Sequence, residues 1–321
     1  MADFDAFNGD ADGICALIQL RLDEPRQSAL VTGVKRDIAL LTSIDGTEGD
    51  RVTALDISME KNIEPLQRLL QAGAEVLYVD HHFAGDIPEH PKLEALINTA
   101  SEVCTSLLIN GRLKGRYAAW AVTGAFGDNL ANSARAAAKA ADLDDKVLGA
   151  LERLGTYINY NGYGPTLDDL HFEPAELYRK LVEFKHPLDF IEQDKSTFEK
   201  LENGYRDDMQ KASSIAPSHR EDAAAVFMFP DAAWSRRVSG VFSNELVNQH
   251  PDRSHAVVTQ SQDGSLLISV RAPLNRREGA DEICRQFPTG GGRKAAAGIN
   301  ALPADQLPAF IDVFSRFYRQ N

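Results

Sequence analysis

The stretch Glu75-Val76-Leu77-Tyr78-Val79-Asp80-His81-His82 is an apolar run that ends abruptly in three titratable side chains. A short apolar run bounded by polar residues reads as a strand buried on both faces, the kind found in parallel sheets covered by helices. Packing explains three titratable residues straight after such a strand poorly, so Asp80, His81 and His82 read as a site at its carboxyl end, where ligands of parallel sheets bind. The same rhythm continues towards the N-terminus. Strands are expected at Asp3–Phe7, Ala29–Val34 and Arg51–Asp56, with helices at Ala11–Leu22 and Asn62–Ala72. This βαβ alternation implies an α/β domain with a parallel sheet and helices on both faces.

Downstream, from about Ser101 to about Ala212, the pattern is mainly helical, with helix formers at Ala131–Ala141 and Pro174–Phe184. Ser213–Asp222 has no apolar periodicity and reads as a linker. Beyond it strands are expected at Ala223–Phe229, Ser254–Gln260 and Ser265–Arg271, the last two joined as a hairpin through Asp263-Gly264. Helices are expected at Gly240–His250, Ala280–Gln286 and Pro303–Tyr318. The expected organisation is a first domain over 1–212, a linker over 213–222 and a smaller α+β domain over 223–321.

The chain has 321 residues, 43% of them hydrophobic and 25% charged, which fits two ordinary globular domains. No apolar run approaches the ~18 residues of a membrane span, and the acidic start MADFD has no basic stretch of a secretory signal. A cytoplasmic protein with no membrane partner is expected. The three cysteines, Cys15, Cys104 and Cys284, are too scattered for a disulfide framework and read as buried, reduced thiols. With 47 acids against 34 bases the formal charge is −13. A protein that grips long nucleic acid carries a basic footprint instead, so small anions or very short oligonucleotides, held through metal ions, are the expected substrates.

Further acids fall where strands end. Asp10 and Asp12 follow the first strand in FNGDADG, Asp56 ends the third in LDIS, and Asp128 stands in GAFGDN after a helical stretch. Each alone has a plain structural reading: Asp-x-Asp after a strand is often an Asx turn and helix cap, and Asp56 could cap a helix. Together on one rim, carboxylates and imidazole suit Mn²⁺ or Mg²⁺, Mn²⁺ being favoured when nitrogen joins oxygen ligands. Two such ions about 3.5–4 Å apart would clamp a phosphoryl group.

This combination resembles the DHH phosphoesterase superfamily. The order matches as well: Asp10-x-Asp12, Asp56, the Asp80-His81-His82 triplet and Asp128. Towards the C-terminus GGGRKAAAG, Gly290–Gly298, is similar to the glycine-rich signature of the DHH-associated C-terminal domain of nano-RNases, dinucleotide phosphodiesterases and RecJ-type exonucleases. The resemblance implies that Asp10 and Asp56 hold one ion and that Asp12, His81 and Asp128 hold another, with Asp56 bridging. It implies that His82 faces the scissile phosphate and that Asp80 orients the histidines from behind. Gly290, Gly291 and Gly292 would bring backbone N–H groups against a substrate phosphate, and Arg271 and Arg293 would also touch the substrate.

Two positions depart from the family pattern. Ala6 stands where many relatives carry a histidine four residues before the first Asp, which leaves open whether one ion or two are bound. Arg293 ends the glycine motif where histidine is usual; arginine grips phosphate but is no general acid near neutral pH. Tyr157, Tyr160 and Tyr163 form an aromatic cluster that either stacks a base or simply packs.

The leading expectation is a Mn²⁺-dependent phosphodiesterase that cuts short oligonucleotides, or linear or cyclic dinucleotides, to mononucleotides, with closure of the two lobes setting substrate length. The alternatives are a phosphatase acting on 3′-phosphoadenosine 5′-phosphate or polyphosphate, and a non-catalytic nucleotide sensor. A homodimer is expected on base rates alone.

Overall fold

The computed structural model describes residues 1–261 and 263–320. The chain divides into two compact units, Met1–Asn203 and Gly204–Asn321. In the first, β1 (Asp3–Phe7), β2 (Ala29–Val31), β3 (Arg51–Leu55), β4 (Glu75–Asp80) and β5 (Leu93–Ile97) form one sheet in the order β2-β1-β3-β4-β5. Every neighbouring pair is parallel, so the carboxyl ends of all five strands share one rim.

Helices cover both faces, as the strand alternation demands. Ala6, Val52, Ala54, Val76 and Tyr78 pack with Leu66, Leu69 and Leu70 of α2 (Met59–Gln71). From the other face Asp5 and Thr53 meet Arg21 of α1 (Ala11–Asp23). The helices α3 (Thr105–Arg112), α4 (Ala118–Gly127), α5 (Ala131–Ala140), α6 (Asp145–Asn161), α7 (Pro174–Leu181), α8 (Pro187–Gln193) and α9 (Lys195–Ser213) follow. Among them α4 is buried all round, with Trp120 fully enclosed, because its sequence AAWAVTGAFG has no polar face.

In the second unit β6 (His219–Arg220), β7 (Ala224–Phe229), β8 (Ser254–Gln260), β9 (Leu266–Arg271), β10 (Gly290–Arg293) and β11 (Ala296–Leu302) form a mixed sheet in the order β10-β11-β9-β8-β7-β6. Among the described strands of this second sheet the only parallel pair is β7 with β8, joined by the helix α10 (Ala233–Gln249). The short α11 (Ala280–Cys284) and the long α12 (Leu307–Gln320) complete the unit, and Phe310, Phe314 and Tyr318 of α12 pack into its core. β8 and β9 pair antiparallel, as the Asp263-Gly264 turn predicts.

Two expectations need correction. The division between units falls inside α9, ahead of residue 212, because the helix runs unbroken from Lys195 to Ser213. The expected linker 213–222 contains β6, a strand too short to show a period, paired with β7. The segment Gly290–Arg293 is an edge strand held in register by β11. The three cysteines are free and buried, and among the described residues no helix is long and apolar enough to cross a membrane.

Candidate metal centre

Because the strands run parallel, the turn after β1, the turn after β3 and the triplet after β4 all open on one rim. Asp10 caps α1: one carboxylate oxygen accepts the N–H groups of Asp12 and Gly13 at 3.0 and 3.1 Å. The cap reading is therefore correct for that oxygen. The other accepts from Lys35 Nζ at 2.5 Å.

Asp12, one residue into α1 and buried, does not cap its own helix. Its two oxygens accept the N–H groups of Thr105 and Ser106, each at 2.7 Å, at the start of α3. Charge-assisted bonds of this kind satisfy donors that a helix leaves unpaired and fix the carboxylate in place. Asp56 follows β3 with φ 58°, a left-handed conformation, and accepts from Thr105 Oγ1 at 3.2 Å.

His81 ties these acids together. Its Nδ1 lies 2.9 Å from the Val103 carbonyl, to which it donates, so the neutral ring keeps its lone pair on Nε2. That Nε2 lies 3.3 Å from Asp56 Oδ1 and 3.9 Å from both Asp12 Oδ2 and Asp128 Oδ2. Asp128 closes the C-terminal end of α4. In the neutral ring that lone pair faces carboxylate oxygens and no donor, and a cation among them would be held by all four atoms, although Asp12 Oδ2 and Asp56 Oδ1 also accept from Thr105. Asp56, His81 and His82 each offer an atom within 4.8 Å of the others.

The electrostatics agree. Burial pushes the Asp56 carboxyl well above the usual range, and the charges of Asp12, Asp10, Asp80 and Asp128 push it further. Burial likewise raises Asp128, against the pull of Lys35. Burial opposes ionisation of Asp10 too, but the Lys35 charge and hydrogen bond outweigh it and Asp10 is held below the ordinary value. Carboxylates raised by burial and by one another are the groups a divalent cation relieves. The donor set of buried oxygens plus one oriented imidazole nitrogen fits Mn²⁺ or Mg²⁺.

No family model matches the sequence, and no curated protein sequence matches it. Solved structures do. Exonuclease RecJ bound to manganese matches over 100% of this chain and 90% of its own, at TM-score 0.64 and 18% identity. The manganese complex of RecJ from Thermus thermophilus matches at TM-score 0.66 and 18% identity, this chain spanning 52% of that one. PggH of Vibrio cholerae, a pGpG-specific phosphodiesterase, matches over 100% of both chains at TM-score 0.60 and 14% identity. The chain shares the fold of these proteins.

Within that fold the remaining expected residues can be placed. Asp80 accepts from His82 Nδ1 at 2.8 Å and so orients His82, whereas His81 is oriented by the Val103 carbonyl and not by Asp80. The second Asp80 oxygen, Oδ2, is buried without a hydrogen-bond partner. The His82 side chain is 39% exposed, open to a ligand on its outer side.

The other expected residues belong to the second unit. Arg271, at the end of β9, donates through Nε to Asn244 Oδ1 at 2.7 Å. Glycine at Gly290 and Gly292 is explained by sterics: a Cβ at Gly290 would lie 1.8 Å from the Cys284 carbonyl, and Gly292 has φ 140°. Gly291 has no such reason, since a Cβ there meets nothing within 4 Å. Arg293 is exposed at the end of the same edge strand.

Sequence reading missed Lys35, Val103, Thr105 and Ser106. Lys35 carried a signal, since it follows the strand expected at Ala29–Val34 and so belongs to the same rim. The others act through the backbone or a hydroxyl of ordinary type. Of the tyrosines, Tyr157 packs on Phe198 and the buried Tyr160 bonds His171 Nε2 through its hydroxyl, which is the packing reading. Tyr163 lies beneath Lys35 Nζ, 5.3 Å from its ring centre.

Proposed function

We propose that the chain is a metal-dependent phosphodiesterase that hydrolyses short oligonucleotides or dinucleotides to mononucleotides. The observation that carries this reading is the His81 Nε2 lone pair set among Asp56, Asp12 and Asp128 on the carboxyl rim of a DHH-type sheet. These four residues would hold the ion, with Mn²⁺ favoured by the nitrogen ligand. A divalent ion bound there supplies positive charge to polarise a phosphate and acidify a water.

The chain's own residues do the rest. The hydrogen bonds from Thr105 and Ser106 keep Asp12 aimed, and the Val103 carbonyl keeps the His81 tautomer. His82, steadied by Asp80, faces the scissile phosphate. Arg271, Gly291 and Arg293 of the second unit take a non-scissile phosphate or a terminal base. The charge of −13 supports a short substrate, because a long strand would be repelled. RecJ structures carrying manganese and the whole-chain match to a pGpG-specific phosphodiesterase support the same class.

The test is turnover with Mn²⁺ on a linear dinucleotide, a cyclic dinucleotide, a bisphosphate nucleotide, polyphosphate and a strand of about ten nucleotides. The proposal expects kcat/KM to be highest for a dinucleotide and to fall steeply for the long strand. Preference for the bisphosphate or polyphosphate would replace phosphodiester with monoester or anhydride chemistry, and preference for the long strand would indicate an exonuclease.

A further inference from the structure

The Asp10 side of the centre differs from the His81 side. Asp10 Oδ2 accepts from Lys35 Nζ at 2.5 Å, and Lys35 Nζ also donates to Asn159 Oδ1 at 2.9 Å and lies over the Tyr163 ring. The backbone of Lys35 is fixed at both ends of the residue: its N–H donates to the Gly162 carbonyl at 2.8 Å, and its carbonyl accepts from Asn8 Nδ2 at 3.3 Å. The Lys35 side chain is 23% exposed and that of Asp10 3%. The ammonium thus has a prepared receptor of carboxylate, amide oxygen and aromatic face. No imidazole reaches this side from β1, where Ala6 is fully enclosed in the apolar core against α2.

We infer that Lys35 takes the place of a second metal ion, so that the centre holds one divalent cation, among Asp12, Asp56, His81 and Asp128, beside a built-in ammonium on Asp10. The inference rests on the metal-centre reading above and fixes its stoichiometry. An ammonium neutralises Asp10 and repels a second dication from its oxygens. It brings three donors and no open coordination position, so it can hold a phosphate oxygen but cannot acidify water as a metal does. Lys35 is accordingly a positioning and charge-balancing residue, and acidification of a water would be left to the one ion that Asp12, Asp56, His81 and Asp128 would hold.

The test counts Mn²⁺ on the purified chain by electron paramagnetic resonance and isothermal titration, without any substrate. Wild type is expected to take up one tightly held ion. Lys35→Ala, which frees Asp10, is expected to take up two and to regain with Mn²⁺ the thermal stability it loses in chelator. Asp10→Asn, which keeps the helix cap, is expected to stay at one and serves as the second variant if Lys35→Ala does not fold. Two ions on wild type within tenfold in affinity would show that Lys35 yields to metal and would overturn the inference while leaving the phosphodiesterase reading intact. A single ion on folded Lys35→Ala, or none on Asp10→Asn, would also overturn it. No ion on wild type at millimolar Mn²⁺ would overturn both this inference and the metal centre.

Discussion

Asp56 sits at φ 58°, in a region that Asn and Asp tolerate and most other residues avoid. Asparagine there keeps the backbone and removes the charge, whereas alanine would mix strain with loss of a ligand. The acids after β1, β3 and β4 were legible because each stands where an apolar strand stops, and Asp128 because it ends an apolar helical stretch. Val103, Thr105 and Ser106 were not, because a carbonyl or N–H group has no letter of its own in a sequence. For Asp80, which fixes His82, replacement by Asn is expected to lower kcat about 10- to 100-fold with KM little changed, as for other residues that orient a site from behind. A rise in KM of the same size would mean that Asp80 serves binding. Arg293→Ala is expected to act the other way, raising KM at a cost of about 1.5–3 kcal/mol in kcat/KM, the worth of a hydrogen bond to a charged group. A fall in kcat at constant KM would assign Arg293 to the transition state instead.

At the level of elements, the strands with strong apolar runs were readable and the marginal ones were not. β5, LEALI, has no buried alternation because it is an edge strand whose side chains are half-buried or exposed. β10, with three glycines, has no apolar run to mark it and is a strand through pairing with β11, a non-local cause. α1 is tied to the sheet by a buried pair. Arg21 donates through Nε to Asp5 Oδ2 at 2.8 Å and through Nη2 to Asp5 Oδ1 at 2.5 Å and Thr53 Oγ1 at 3.0 Å. Because α1 also carries Asp12 and is capped by Asp10, this pair helps hold the centre in place. Arg21→Leu is expected to cost about 3–5 kcal/mol in urea unfolding, since it leaves the buried Asp5 carboxylate without a countercharge and with only the Ser28 hydroxyl of its side-chain donors, and Asp5→Leu in addition should return much of it. Near-wild-type stability in the single variant would show that water reaches Asp5.

At the level of the whole molecule, metal and proton both couple to stability. Mn²⁺ at about 100 times its dissociation constant is expected to stabilise the fold by about 2.7 kcal/mol, seen as a higher melting temperature that chelator reverses. His255, fully buried in β8, is pushed down to about 3 by burial first and then by Arg253 and His250. An unfolded histidine titrates near ~6.5, so between ~6.5 and 3 the unfolded chain binds the extra proton. The contribution of His255 is whole above ~6.5 and is lost as pH falls, by up to about 1.4 kcal/mol per pH unit. His255→Leu should flatten the fall of the urea midpoint between pH 7 and 4.5; an unchanged slope would place the proton elsewhere. The central claim is that Asp56, with Asp12, His81 and Asp128, makes a metal centre that cleaves a phosphodiester. The most direct measurement is release of mononucleotide from a linear dinucleotide, with Mn²⁺ and with chelator, by wild type and Asp56→Asn. The account predicts turnover by wild type with Mn²⁺ alone and almost none by a folded Asp56→Asn chain. Wild-type turnover in chelator, or undiminished turnover by Asp56→Asn, would contradict it.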